Sequence, residues 1–106
     1  MTEHEFQQDV IEVAKAHRWL VYHATPTQIR PGRWVTAQAG HKGFPDLVLA
    51  HPDRGCLFVE LKKQDGTVTP EQTNWHLTLI SAGVESVIWR PSDWPVIIAR
   101  LTQDKP

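Results

Sequence analysis

"GFPDLVLAHPDRGCLFVELKK", residues 43–63, holds two apolar runs, and each carries charge where a buried strand should carry none. "DLVLAH" (46–51) and "CLFVELK" (56–62) read as strands, and the "PDRG" turn between them is short enough for a hairpin, so the two should pair antiparallel. Residues two apart in a strand share a face, so Glu60 and Lys62 project together with Leu61 turned away. Pairing through the turn sets the start of the first strand beside the end of the second, which brings Asp46 near both.

Two carboxylates held close repel each other and are costly to bury uncompensated, so a cation is the natural remedy. Oxygen donors without Cys, and without His at the key strand positions, favour Mg²⁺ or Mn²⁺ over zinc. Such an ion beside a lysine that positions or deprotonates a water makes a phosphodiester hydrolase. The plainer reading of the same residues is a surface Glu60–Lys62 ion pair with a turn-capping Asp46, since an Asp followed by Glu-x-Lys is a short, degenerate pattern.

Around this hairpin the chain reads as helix, strand, loop, strand, strand, helix, strand, helix. Phe6, Val10, Val13 and Ala14 recur at helical spacing between Glu3 and His17, with Thr2 as N-cap. "RWLVYHA" (18–24) reads as a strand, and Thr25 to Gly43, broken by prolines and glycines, as a long loop or irregular hairpin. Thr69, Pro70 and Gln72 form the capping-box start of a second long helix that Gly83 closes. "VESVIW" (84–89) is a fourth strand, and Ser92 can cap a short last helix. The alternation predicts an α/β fold of the α+β kind, with a mixed sheet of about four strands flanked by helices.

The chain has 106 residues, 41% of them apolar, which suits one domain over 1–106 with a single core. No apolar run approaches the ~18 residues of a membrane span and no secretory leader opens the chain, so a cytoplasmic protein without membrane contact is expected. The lone Cys56 excludes an internal disulfide and, among Leu57, Phe58 and Val59, reads as a small buried hydrophobe. Net charge is −1, yet no acidic residue lies between Glu12 and Asp46, where Lys15, Arg18, Arg30, Arg33 and Lys42 fall with His17, His23 and His41. That stretch faces phosphates or is simply solvated. Trp34 stacks on a base or packs in the loop; Trp19, Trp75 and Trp89 are expected in the core.

"KGFPDLVL", "FVELKK", "VTPEQTNWHLTLISAGV" and "VIWRP" together resemble the VRR-NUC family of the PD-(D/E)XK nuclease superfamily, from the first helix to about Pro91. The resemblance implies a restriction-endonuclease-like core and a Mg²⁺- or Mn²⁺-dependent DNA endonuclease without a small-molecule cofactor. It implies Asp46, Glu60 and the backbone carbonyl of Leu61 as metal ligands, and Lys62 at the attacking water. A helix-1 glutamate completes the family's metal site: Glu3, on the inward face with Phe6, or Glu5 as second choice. The family glutamine matches Gln72, which the sequence by itself explains equally well as a cap. Arg30, Arg33, Lys42, Gly43 and Lys63 are the expected nucleic-acid contacts, Gly43 because a missing Cβ admits backbone or nucleic acid at close range. Stand-alone members, found in phages and bacteria, suggest a homodimer acting on branched DNA such as Holliday junctions. Duplex, flap or single-stranded DNA, a non-catalytic nucleic-acid-binding module, and a protein-interaction domain are the other readings.

Overall fold

The computed structural model describes residues 1–24, 27–35 and 39–103, with backbone alone at 27–29, 34 and 35. Helix α1 (Glu3–Ala16) opens on a Thr2 capping box and closes with Arg18 at φ +70°, its last carbonyls taken by the N–H groups of Arg18 and Trp19. Strand β1 (Leu20–His23) follows. The stretch expected to be a loop or irregular hairpin contains a two-stranded unit, β2 (Thr27–Arg30) and β3 (Arg33–Val35), paired only with each other. The side chain of Trp34 lies outside the described residues.

Strands β4 (Leu47–His51) and β5 (Gly55–Leu61) form the expected antiparallel hairpin, with Leu47 opposite Val59 and His51 opposite Gly55. Helix α2 (Pro70–Ser81) begins at the Thr69–Gln72 capping box and ends with Gly83 at φ +83°, a conformation costly for any residue with a Cβ. It returns the chain to β6 (Glu85–Trp89), parallel to β5. The sheet order is β1-β4-β5-β6, a mixed sheet flanked by three helices.

Alternation along the strands sorts the two faces. Leu47 and Leu49 of β4, Leu57, Val59 and Leu61 of β5, and Trp89 of β6 turn to one side, where α1 supplies Phe6, Val10 and Ala14. Helix α3 (Trp94–Thr102), entered through a 3-10 turn at Pro91–Asp93, adds Ile97 and Leu101. Trp19 closes this core, its indole N–H donating to the Leu101 carbonyl at 2.9 Å. The other face carries Phe58, Glu60 and Lys62 beneath α2, with the Phe44 ring edge-on to both Phe58 and Trp75.

Three local expectations are corrected. Cys56 is exposed, beside the hairpin turn on the α2 face of the sheet. Trp75 is half-buried against Phe44 rather than in the main core, because α2 packs on the opposite side of the sheet. Ser92 does not cap α3, since its hydroxyl and N–H pair with the Gln64 amide. Among the described residues no helix is long and apolar enough to cross a membrane.

Candidate active site

The site forms where the β4–β5 ladder stops. One further hydrogen-bonded step beyond Leu47–Val59 would set residue 45 opposite Leu61, but Pro45 has no N–H to give and the chain bends at Asp46. The Asp46 side chain takes the partner's place, Oδ2 accepting the Leu61 N–H at 2.8 Å. In an antiparallel ladder the N–H and C=O of one residue point to the same side, so the Leu61 carbonyl faces the Asp46 side with no proline N–H opposite it. The next N–H, of Lys62, turns the other way and donates to the Trp89 carbonyl at 3.0 Å.

Glu60 and Lys62 project together, and both are buried, at 4% and 8% exposure. Glu60 Oε2 accepts from Gln72 Nε2 at 3.0 Å and lies 3.7 Å from Lys62 Nζ. Its other oxygen, Oε1, is buried without a donor. Burial chiefly, then the charge of Asp46 and the hydrogen bond that a protonated Glu60 donates to it, push the Glu60 carboxyl up to about 8; Lys62 opposes the shift and Glu3 adds the weakest upward push. Ionising Glu60 in this setting therefore calls for something positive beside it.

These observations test the fit of a metal. Two adjacent carboxyls, one with an orphaned buried oxygen, and a carbonyl facing the same gap are hard oxygen donors suited to Mg²⁺ or Mn²⁺. Among the described residues no group of three or more His, Cys, Asp or Glu side chains surrounds one point. The side chains that could serve as donors are therefore Asp46 and Glu60, and Mg²⁺ characteristically completes its shell with water.

Of the two helix-1 glutamates, Glu5 is committed to the Thr2 capping box: Thr2 N–H donates to Glu5 Oε1 at 2.8 Å and Glu5 N–H to Thr2 Oγ1 at 3.0 Å. The Thr2 bonds hold the Glu5 carboxyl below its ordinary range. Glu3, expected on the inward face with Phe6, is instead exposed at the start of α1, and its charge reaches Glu60 through its field. Gln72 caps α2 as expected, its Oε1 accepting the Thr69 N–H at 2.9 Å, while its Nε2 donates to Glu60 Oε2, a partner the sequence did not point to.

The family model of the VRR-NUC domain matches residues 4–92, which run from the second residue of α1 through the Asp46–Glu60–Lys62 constellation and α2. The chain belongs to the VRR-NUC family. It is a nuclease-type family, and solved structures share the fold of this chain. One described as a VRR-NUC domain is 24% identical with a TM-score of 0.65, covering 92% of this chain and 96% of that one. Another, a VRR-NUC domain protein, is 21% identical with a TM-score of 0.64, covering 96% of this chain and 88% of that one. Among curated proteins no sequence matches.

The remaining candidates of this VRR-NUC chain lie around that centre. Arg30, Arg33 and Lys42 are exposed, and Lys63 is more than half exposed, 3.7 Å from Asp65. Gly43, at φ +92°, is pressed against the first turn of α2: a Cβ there would stand 2.5 Å from the Glu71 carbonyl carbon. The close approach that the missing Cβ permits is made by this chain's own backbone. Of two further residues at the site, Gln7 carried no role in the sequence and His23 was read only within the basic stretch. Gln7 Nε2 lies 3.0 Å from His23 Nε2, and His23 Nδ1 lies 3.2 Å from the Asp46 carbonyl oxygen. The available signal was the four-residue spacing that puts Gln7 on the Glu3 face of α1.

Proposed function

We propose that the chain is a divalent-cation-dependent DNA endonuclease, in which Asp46, Glu60 and the Leu61 carbonyl hold Mg²⁺ or Mn²⁺. The observation that carries this reading is buried Glu60 beside half-buried Asp46, with an orphaned Glu60 oxygen and Lys62 Nζ at 3.7 Å. When bound, the cation would supply Lewis-acid polarisation of a phosphoryl oxygen and lower the pKa of a water. The chain's own residues do the rest. Leu61 N–H fixes the Asp46 carboxylate, Gln72 holds Glu60 Oε2 so that Oε1 remains for the cation, and Lys62 orients the attacking water or takes its proton. Glu3, at the start of α1, tunes the site through its field or joins it through water.

Exposed Arg30, Arg33, Lys42 and Lys63 supply phosphate contacts and support a nucleic-acid partner. The finer reading is a homodimer selective for branched DNA, acting in the cytoplasm of a bacterium or phage-infected host. Exposed Leu20 and Tyr22 on the edge strand β1 support self-association, and two centres cut two strands symmetrically. Incubation of four-way junction, flap, duplex and single-stranded DNA with Mg²⁺ tests both levels. Paired symmetric nicks in the junction are expected, abolished in Lys62→Ala; equal cleavage by wild type and Lys62→Ala would sink the mechanism.

A further inference from the structure

Asp46 lies at a bend, one residue outside the β4 ladder, so sheet pairing does not hold its backbone. Two contacts do. Its carboxylate is fixed by Leu61 N–H, and its carbonyl oxygen meets His23 Nδ1 at 3.2 Å. A carbonyl oxygen only accepts, so His23 carries its proton on Nδ1; in the neutral ring Nε2 is then the acceptor, and the group facing it at 3.0 Å is the Gln7 amide nitrogen, a donor. The directions agree along the whole chain of bonds, from Gln7 N–H to His23 to the Asp46 carbonyl. Gln7 in turn is anchored by neighbours Phe6 and Val10, buried in the core beneath the sheet.

We propose that Gln7 and His23 are a positioning pair that fixes the Asp46 backbone, and through it the direction of the Asp46 carboxylate, by holding the imidazole in its Nδ1–H tautomer. The inference rests on the reading of Asp46 as a cation ligand. Neither residue touches the cation or the substrate; they act through Asp46. Groups that orient a ligating side chain in this way are commonly worth 10–100-fold in metal affinity, and one further bond removed from the ion should fall at the low end, about tenfold.

Two measurements on the whole chain test it, ¹⁵N NMR of the metal-free protein and Mn²⁺ titration calorimetry. In the wild type, the His23 ring is expected to show a protonated Nδ1 and a bare Nε2. Gln7→Leu releases it toward the Nε2–H form. His23→Leu is expected to weaken Mn²⁺ binding about tenfold, and His23→Asn, whose amide nitrogen takes the place of Nδ1, to stay within about threefold of wild type. His23→Gln, which places its amide at the Nε2 position instead, should be as weak as His23→Leu, and this contrast decides the matter even if His23→Leu does not fold. A wild-type ring protonated on Nε2, or equal Mn²⁺ affinity in the Asn and Gln variants, overturns the proposal. Asp46→Ala separates the two levels: if it binds Mn²⁺ like the wild type the cation reading itself fails, whereas loss there with His23→Gln unaffected removes only the positioning pair.

Discussion

Gln72 and Glu60 are joined by a bond that makes one side chain serve a helix and a site at once: Oε1 of Gln72 caps α2 while Nε2 donates to Glu60 Oε2 at 3.0 Å. The two roles are separable by substitution. In Gln72→Glu the capping box survives, because a carboxylate oxygen still accepts from the Thr69 N–H, but the donor to Glu60 is replaced by a second negative charge. The melting temperature should stay within a few degrees of wild type while cleavage falls at least about tenfold. Gln72→Ala should lose both, with about 1 kcal/mol of stability gone with the cap.

Lys62 is expected to act on the reaction more than on the cation. Lys62→Met keeps the aliphatic stem and removes the ammonium, so single-turnover cleavage should drop by about a hundredfold or more. Mn²⁺ affinity measured by calorimetry should change far less.

Glu60 links cation binding to protons. Its carboxyl, at about 8 in place of the ordinary 4.5, is largely protonated at neutral pH and must ionise to hold a cation. Binding therefore releases protons, seen as a dependence of the calorimetric heat on buffer ionisation enthalpy, and affinity should rise by up to about tenfold per pH unit below pH 8 and level off above it. Without a cation the sign for stability is opposite to that of an ordinary paired carboxylate. The folded state holds a proton that the unfolded chain has lost, so thermal stability falls as pH rises from about 4.5 to about 8. Glu60→Gln should flatten that slope.

Gly43→Ala and Gly40→Ala form a matched pair, since both glycines have positive φ, +92° and +99°. A Cβ at Gly43 collides with the Glu71 backbone, whereas among the described residues nothing lies within 4 Å at Gly40. Gly40→Ala should cost about 1 kcal/mol of backbone strain, and Gly43→Ala roughly 3 kcal/mol or more, or the fold itself. Urea titration reads the difference.

The exposed cations can be counted through salt. Arg30→Ala and Arg33→Ala should each reduce the slope of log affinity for duplex DNA against log salt by about 0.9 if each meets a phosphate. Mn²⁺ affinity, measured in the same variants, should not move.

What was legible in the sequence follows from short-range rules. The "PDRG" turn and the two-residue period settle the β4–β5 register, and with it the meeting of Asp46, Glu60 and Lys62. Thr69, Gln72 and Gly83 mark the ends of α2 by their own chemistry. What escaped depends on partners distant in sequence. Cys56 is exposed because of where α2 happens to lie, Ser92 pairs with Gln64 28 residues away, and His23 meets Gln7 across 16 residues. The reason for Gly43 was half legible: close approach was foreseen, but only the packing of α2 identifies the neighbour.

Pro45 gives the site its character by subtraction. With an ordinary residue there, the ladder would have an N–H to offer the Leu61 carbonyl, and the sheet could run one pair longer. A Pro45→Ala change is then a trade of activity for stability: the backbone gains a bond and the carbonyl is quenched as a ligand. The domain leaves its sheet unfinished by one rung, and the proposed cation site opens at that gap.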